Sequence, residues 1–204
     1  MPRGSHMTQR YGGLQGGFAE AIRAFAEQAE QALDATFREI VIEIGSSVIR
    51  MSPVGNPELW AQNAIATQYN QAVEDHNTAL RSDSANLSKN GRLKPGKKLK
   101  DGMDIAAPAG YVGGRFRGNW QFSIDSPATG ELDRIDRSGN DTIAQLEAQV
   151  EALTIGQTAY IVNNLPYSVP LEYGHSTQAP SGMVRVTLAN FQAIVDQAIR
   201  NNQV

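Results

Sequence analysis

Cysteine is absent from all 204 residues, so disulfides, thiolate nucleophiles and cysteine-based zinc sites are excluded. Histidine is nearly as scarce. Of the three present, His6 falls in Met1-Pro2-Arg3-Gly4-Ser5-His6-Met7, which reads as the remnant of a cleaved purification tag and is set aside. Metal ligation or imidazole acid–base work would have only His76 and His175 to draw on. Long apolar runs are missing too: no stretch of eighteen apolar residues occurs, the length a membrane-crossing helix needs. No apolar signal region follows residue 7. The expectation is a soluble chain made in a reducing compartment, without a cleaved export signal and without a membrane partner. Nor is there a surplus of one charge. Eighteen Lys and Arg against 21 Asp and Glu leave a formal net charge of −3, too little to draw the whole surface to nucleic acid or an anionic membrane.

What is present suffices for one core with an insertion. Tyr11-Gly12-Gly13-Leu14-Gln15-Gly16-Gly17 is too glycine-rich to favour a helix, so residues 8–17 read as a flexible arm. From Phe18 the pattern changes. Phe18, Ile22, Phe25, Ala29, Leu33, Phe37, Ile40, Ile44 and Val48 recur at steps of three and four, which places them on one face of a helix. Phe18 to Ile49 would span roughly 48 Å, more than one small domain needs, so part of the stripe is expected to pack on a neighbour. Gly45, Ser46 and Ser47 weaken the last turns, and Ser52-Pro53 ends them.

After the turn Pro53-Val54-Gly55-Asn56-Pro57, residues 58–81 read as a second helix with a thin apolar stripe. Residues 82–102 lack periodicity and read as a mobile loop. Arg115 to Asp125 alternates as a half-buried strand, with Phe116, Trp120, Phe122 and Ile124 inward and Arg117, Asn119, Gln121 and Ser123 outward. Gly118 interrupts it, marking a bulge or a close backbone approach. Asn140 or Asp141 is the expected cap of a helix carrying Ile143, Leu146, Val150 and Leu153, with Gly156 as its stop. Ala159 to Val162 is the second strand. A closing helix should bury Val184, Leu188, Phe191, Val195 and Ile199, with a strand over 183–187 as its competitor. The predicted fold class is α+β: a long N-terminal helix and a C-terminal helix packed on a small β-sheet. Residues 18–60 and 108–204 would make one domain, and 61–107 an insertion.

A search for chemistry finds no catalytic set. Glu172-x-x-His175 has the spacing of half a carboxylate-bridged metal site, but lacks further ligands. Asp75-His76 are adjacent on a helix and point apart. The glycines of 110–114 lead into a strand, whereas a phosphate-binding loop leads into a helix. No cofactor, metal or enzymatic activity is expected. The strongest local signal is basic: Lys89, Arg92, Lys94, Lys97, Lys98 and Lys100 lie within twelve residues. Such a run suits phosphate or an acidic partner surface, or is simply solvated. It contains no aromatic residue on which a base could stack.

Several motifs come in order: Ser52-Pro53-Val54-Gly55 after the long helix, then Gly110-Tyr111-Val112-Gly113-Gly114-Arg115-Phe116-Arg117-Gly118-Asn119-Trp120. Tyr160-Ile161-Val162-Asn163-Asn164-Leu165-Pro166-Tyr167 follows, and then Leu171-Glu172-Tyr173-Gly174-His175-Ser176 with Gln178-Ala179-Pro180-Ser181-Gly182-Met183. The ordered set resembles the neck and tail-completion proteins of tailed bacteriophages and prophages, over about residues 18–199. The stretch of roughly 61–107 departs from the simpler members, in which the Ser-Pro-Val turn leads almost directly into the Gly-Arg segment. The resemblance implies a non-enzymatic virion protein, assembled in the host bacterial cytoplasm as a homo-oligomeric ring at the head–tail junction. Its expected partners are its own copies, portal-side connector proteins and tail-tube or terminator proteins. Candidate interface residues are Phe18, Ile22, Phe25, Arg115, Arg117, Glu172, Tyr173, His175 and Gln178. A DNA-contacting protein acting through Lys89 to Lys100 is the alternative.

Overall fold

The computed structural model describes residues 15–203. Along the chain its elements are α1 (Gln15–Met51), α2 (Ala64–Arg81), α3 (Arg115–Gly118), β1 (Trp120–Ile124), α4 (Asn140–Val150), β2 (Ala159–Asn163), α5 (Ser168–Glu172), α6 (Val184–Ala189) and α7 (Phe191–Asn201). Short 3-10 turns occur at Pro57–Leu59, Ala61–Asn63 and Ser84–Asn86. The chain divides into two compact units, one running to Val54 and resuming at Gly114, the other comprising Gly55–Gly113. The second contains the stretch 61–107 and six further residues at each end. The first is α+β, with the long helix, a C-terminal helix and one two-stranded antiparallel sheet. Of the arm expected over 8–17, residues 8–14 lie outside the described residues. Gln15, Gly16 and Gly17 belong to α1, because extending an existing helix fixes one residue per new hydrogen bond and outweighs the glycine penalty.

The 37 residues of α1 span about 55 Å, and the helical phase runs unbroken through Ile40-Val41-Ile42. Its second half packs into the core, where Val41, Val48 and Ile49 meet Phe116, Trp120, Phe122, Ile143, Leu146, Val150, Leu153, Leu165 and Met183. Gly45 has a reason to be glycine. A Cβ there would overlap the Leu146 side chain, so its absence lets α4 approach α1 closely. The C-terminal end of α1 is closed by side chains. Ser52 Oγ donates to Val48 O (2.7 Å) and accepts from Trp120 Nε1 (2.7 Å). Arg117 donates to Ser52 O through Nη2 (2.6 Å) and to Arg50 O (3.0 Å), a cation on the negative end of the helix dipole.

That role for Arg117 corrects the expected strand. Pairing runs only from Trp120↔Asn163 to Ile124↔Ala159, and Arg115–Gly118 is a helical turn. Gly114, at φ 115°, turns the chain into it. A Cβ on Gly118 would stand 2.6 Å from Arg134 O, so the close backbone approach is what glycine provides there. Phe116, Trp120 and Phe122 are buried as expected, but the opposite set is not all outward. Asn119 is fully buried, with Nδ2 donating to Leu132 O and Oδ1 accepting from Leu132 N (2.9 and 2.7 Å).

Helix α4 is likewise capped differently. Its N-cap is Gly139 (φ 82°), and the capping oxygens come from Asp136, three residues upstream. Asp136 accepts from Gly139 N (2.7 Å), Thr142 N, Thr142 Oγ1 and Ser138 Oγ (each 2.9 Å). Asn140 and Asp141 therefore lie inside the helix, which ends at Val150, six residues before Gly156. Burial works against the Asp136 charge, and the four donors overcome it, holding the carboxyl at about 2. A depressed carboxylate stabilises the fold above its unfolded value, near 4, and that contribution is lost as pH falls toward 2. It amounts to about 2 kcal/mol. Asp136→Asn should therefore be clearly less stable than the wild type in urea at pH 6, with the gap narrowing by about 1.5 kcal/mol at pH 2.5. A pH-independent gap would show that the cap does not depend on the charge.

In the Gly55–Gly113 unit, the residues expected as a helix over 58–81 form two 3-10 turns followed by α2. The stretch expected as an aperiodic loop has structure of its own. Leu87 and Leu93 form an antiparallel bridge, and residues 99–106 return along α2, held by asparagines. Asn77 exchanges two hydrogen bonds with the Leu99 backbone (2.9 and 2.8 Å), Asn70 two with Met103 (2.8 and 2.7 Å), and Asn63 two with Ala106 (2.8 and 3.0 Å). Each side-chain amide meets an N–H and a C=O as a neighbouring strand would. The three are seven residues apart, two helical turns, so they share one face of α2 and its lead-in turn.

Candidate interaction surface

The first half of α1 carries an apolar stripe that its own chain leaves open. Phe18 is 76% exposed, Ile22 54%, Phe25 64% and Leu33 54%. Among the described residues, long-range hydrogen bonds to α1 begin at Asp34: Ile155 N donates to Asp34 Oδ1 (2.6 Å), Arg38 Nε to Leu153 O (2.7 Å), and Asn202 Nδ2 to Glu39 Oε2 (2.6 Å). Among the described residues, no long-range hydrogen bond or ion pair involves 17–33.

A second open surface overturns an expectation. The C-terminal segment is two helices broken at Asn190, with no strand over 183–187. The apolar face expected to be buried is largely the outward one. Val184 is 38% exposed, Leu188 61%, Phe191 43% and Ile199 46%, while Val195 is half-buried. The inward face carries Met183, Thr187 and Ala198, each almost wholly buried, and Thr187 Oγ1 shares a hydrogen bond with Ser47 Oγ (2.9 Å). Small and polar residues allow α6 and α7 to lie close against α1. Apolar periodicity alone favours the larger side chains and so selects the wrong face.

Between β2 and α6, the loop of 172–183 is closed by Glu172. Its carboxylate accepts from Met183 N (2.8 Å), Val184 N (3.0 Å) and Arg185 N (2.9 Å). Burial opposes this charge, and the three amides more than offset it, keeping the carboxyl below its ordinary range. Gly182, at φ 77°, lies so close that a Cβ would collide with Glu172. Gln178 clamps the Val54 backbone through both amide atoms (2.9 and 3.2 Å). Glu172, Gln178 and Arg117 are thus committed to internal hydrogen bonds. Tyr173 is outward, 68% exposed, with the Arg185 guanidinium 5.0 Å from its ring centre. His175 is exposed, with Nδ1 3.0 Å from Pro170 O, and Arg115 is exposed and paired with Glu131 (2.9 Å).

The six basic residues are split between two turns. Ser88 N donates to Arg92 O (2.8 Å), which places Lys89 and Arg92 on a hairpin tip. Lys94 donates to Ala85 O (2.7 Å), and a second turn carries Lys97, with Lys98 and Lys100 just beyond. Among the described residues, Lys94 alone of the six uses its side chain in a hydrogen bond, and all six lie in exposed positions. Among the described residues, no group of three or more histidines and carboxylates is placed to hold a metal ion. A cavity of about 180 Å³ in the α+β unit is lined by Ile49, Trp120, Phe122, Arg134, Gln145 and Leu146, among others, with no acid or histidine in its wall. No described helix is long and apolar enough to cross a membrane. What these surfaces offer is apolar contact area, held on rigid helices. Comparison with protein-family models, with curated proteins and with solved structures finds no match for this chain.

Proposed function

We propose that this chain is a structural subunit of a tailed phage or prophage, assembling as a ring at the head–tail junction between connector and tail proteins. The observation that carries the reading is the row of Phe18, Ile22 and Phe25, more than half exposed on a helix that outruns its own core. A soluble chain rarely leaves such a row in water unless a partner covers it. The ordered motifs from Ser52-Pro53-Val54 to Gln178-Ala179-Pro180 point to the neck and tail-completion class. In this reading the chain catalyses nothing. Glu172, Arg117 and Gln178 fix the backbone, while Tyr173, His175 and Arg115 sit on the surface presented to neighbours. Closed rings use head-to-tail interfaces, one patch meeting a different patch on the next copy.

Electron microscopy of the purified protein should show closed rings, and immunogold labelling of virions should mark the neck. A chain found free in lysates and absent from purified particles would overturn the reading. The exposure of all six cations between Lys89 and Lys100 favours one second reading, contact with DNA. Duplex binding at physiological salt, steeply salt-dependent and lost on Lys→Glu reversal of this run, would replace the protein-partner role with that one.

A further inference from the structure

We infer that the open half of α1 from one copy docks onto the outward face of α6 and α7 of the next copy. This rests on the reading of the chain as a self-assembling subunit and names the contact that joins the copies. Phe18, Ile22, Phe25, Ala29 and Leu33 are spaced by four, three, four and four residues. Val184, Leu188, Phe191, Val195 and Ile199 repeat those steps. The two rows match in sequence step, the first on one continuous helix and the second divided at Asn190 between α6 and α7.

A chain cannot satisfy both rows by itself. Helices α6 and α7 run antiparallel to the second half of α1, from Thr187 beside Ser47 to Asn202 beside Glu39. Their inward face already rests there. Beyond Glu39, α1 continues to Gln15, a further ~36 Å away from the α6–α7 face. The second row belongs to a different copy by geometry.

Area agrees with that occupant. At the exposures given above, each row leaves roughly 400 Å² of apolar surface in water, and two rows with their polar rims make a contact of about 1,000 Å². Every copy would donate one row and offer the other, so each takes part in two such contacts. The charged residues of the open half, Glu20, Arg23, Glu27 and Glu30, fall on the face of α1 away from the apolar row, so they do not oppose its burial.

The test uses full-length chains. Phe25→Asp and Leu188→Asp should each sediment as monomers at concentrations where the wild type is assembled, at least tenfold weaker in association. Far-UV circular dichroism should stay unchanged, because both side chains are largely exposed. An equimolar mixture of the two variants should form dimers and stop there, since one retains the acceptor face and the other the donor helix. The cysteine-free sequence allows a second measurement that does not depend on disruption. Under mild oxidation, an Ile22→Cys chain mixed with a Leu188→Cys chain should give a disulfide-linked pair, and neither alone should. A Leu188→Asp chain that assembles like the wild type, or Ile22→Cys linking to itself, overturns this contact and leaves the ring untouched. Monomeric variants beside a wild type that grows open filaments would keep the contact and remove the closed ring. A wild type that stays monomeric at its solubility limit overturns the contact.

Discussion

Trp120→Ala is expected to destabilise the α+β unit by about 3–5 kcal/mol, the range for truncating a large aromatic core side chain. Trp120 is 8% exposed and sits edge-on to Phe116, ring centres 6.1 Å apart. Beyond packing, its Nε1 supplies the hydrogen bond that Ser52 Oγ accepts while Ser52 itself donates to Val48 O. Removal therefore leaves a cavity and also strips one partner from a hydroxyl with no access to water, Ser52 being fully buried. Trp120→Phe separates the two effects. It retains most of the volume and should cost about 1–3 kcal/mol, chiefly the lost hydrogen bond. Urea unfolding followed by far-UV circular dichroism checks both, because the other tryptophan, Trp60, lies in the second unit. A loss below 1 kcal/mol for Trp120→Ala would mean that water or neighbouring side chains fill the space, and that the α1 terminus does not depend on this ring.

The elements legible in the sequence were those set by long or strict periodicity. Helix α1 was readable because nine apolar positions keep one phase, and β2 because its short apolar run lies between turn signals. The class α+β followed from these. What escaped was set by single polar side chains acting on distant backbone. Arg117 alternates perfectly with Phe116 and Gly118, yet its guanidinium is drawn inward by the carbonyls of Arg50 and Ser52, which breaks the strand at its start. Asp136 caps a helix from three residues before the N-cap, where the usual capping pattern looks only at the cap itself.

The surfaces divide in the same way. The open stripe of Phe18, Ile22 and Phe25 was legible because a helix longer than its domain must leave one end unpacked. The α6–α7 face was read as core, since hydrophobicity marks a face as apolar without saying which molecule covers it. Thr187 and Ala198, the residues in contact with the rest of the unit, carry little apolar weight, so no moment points to them. Glu172 and Gln178 were candidates for partner contact because they sit in a loop. Their oxygens and amides are instead spent on fixing that loop, leaving Tyr173 and His175 outward. For the basic run the sequence showed charge but not geometry, and the hairpin at 87–93 separates Lys89 and Arg92 from Lys97, Lys98 and Lys100.

The asparagines of the second unit lead to the last expected result. Asn63, Asn70 and Asn77 carry the signal of a strap, a heptad of one amide residue along a helix with a thin apolar stripe and its lead-in turn. Asn77 is only 1% exposed and its amide serves both polar groups of Leu99. Asn77→Ala removes a donor and an acceptor together and leaves the Leu99 N–H and C=O without their partners. At about 1–2 kcal/mol for each, the Gly55–Gly113 unit should lose about 2–4 kcal/mol. Asn77→Asp should be at least as damaging at neutral pH, because a carboxylate keeps the acceptor for Leu99 N–H but faces the Leu99 carbonyl with negative charge. Trp60, stacked edge-on with Tyr111 at 5.1 Å between ring centres, reports on this unit alone once Trp120 is replaced by Phe. In that background the Trp60 fluorescence transition should move to lower urea, and amide exchange of Leu99 should speed up before that of Ala106, whose clamp on Asn63 is intact. Unchanged exchange at Leu99 in Asn77→Ala would mean that the strap is held by its own backbone and that the heptad of asparagines is incidental.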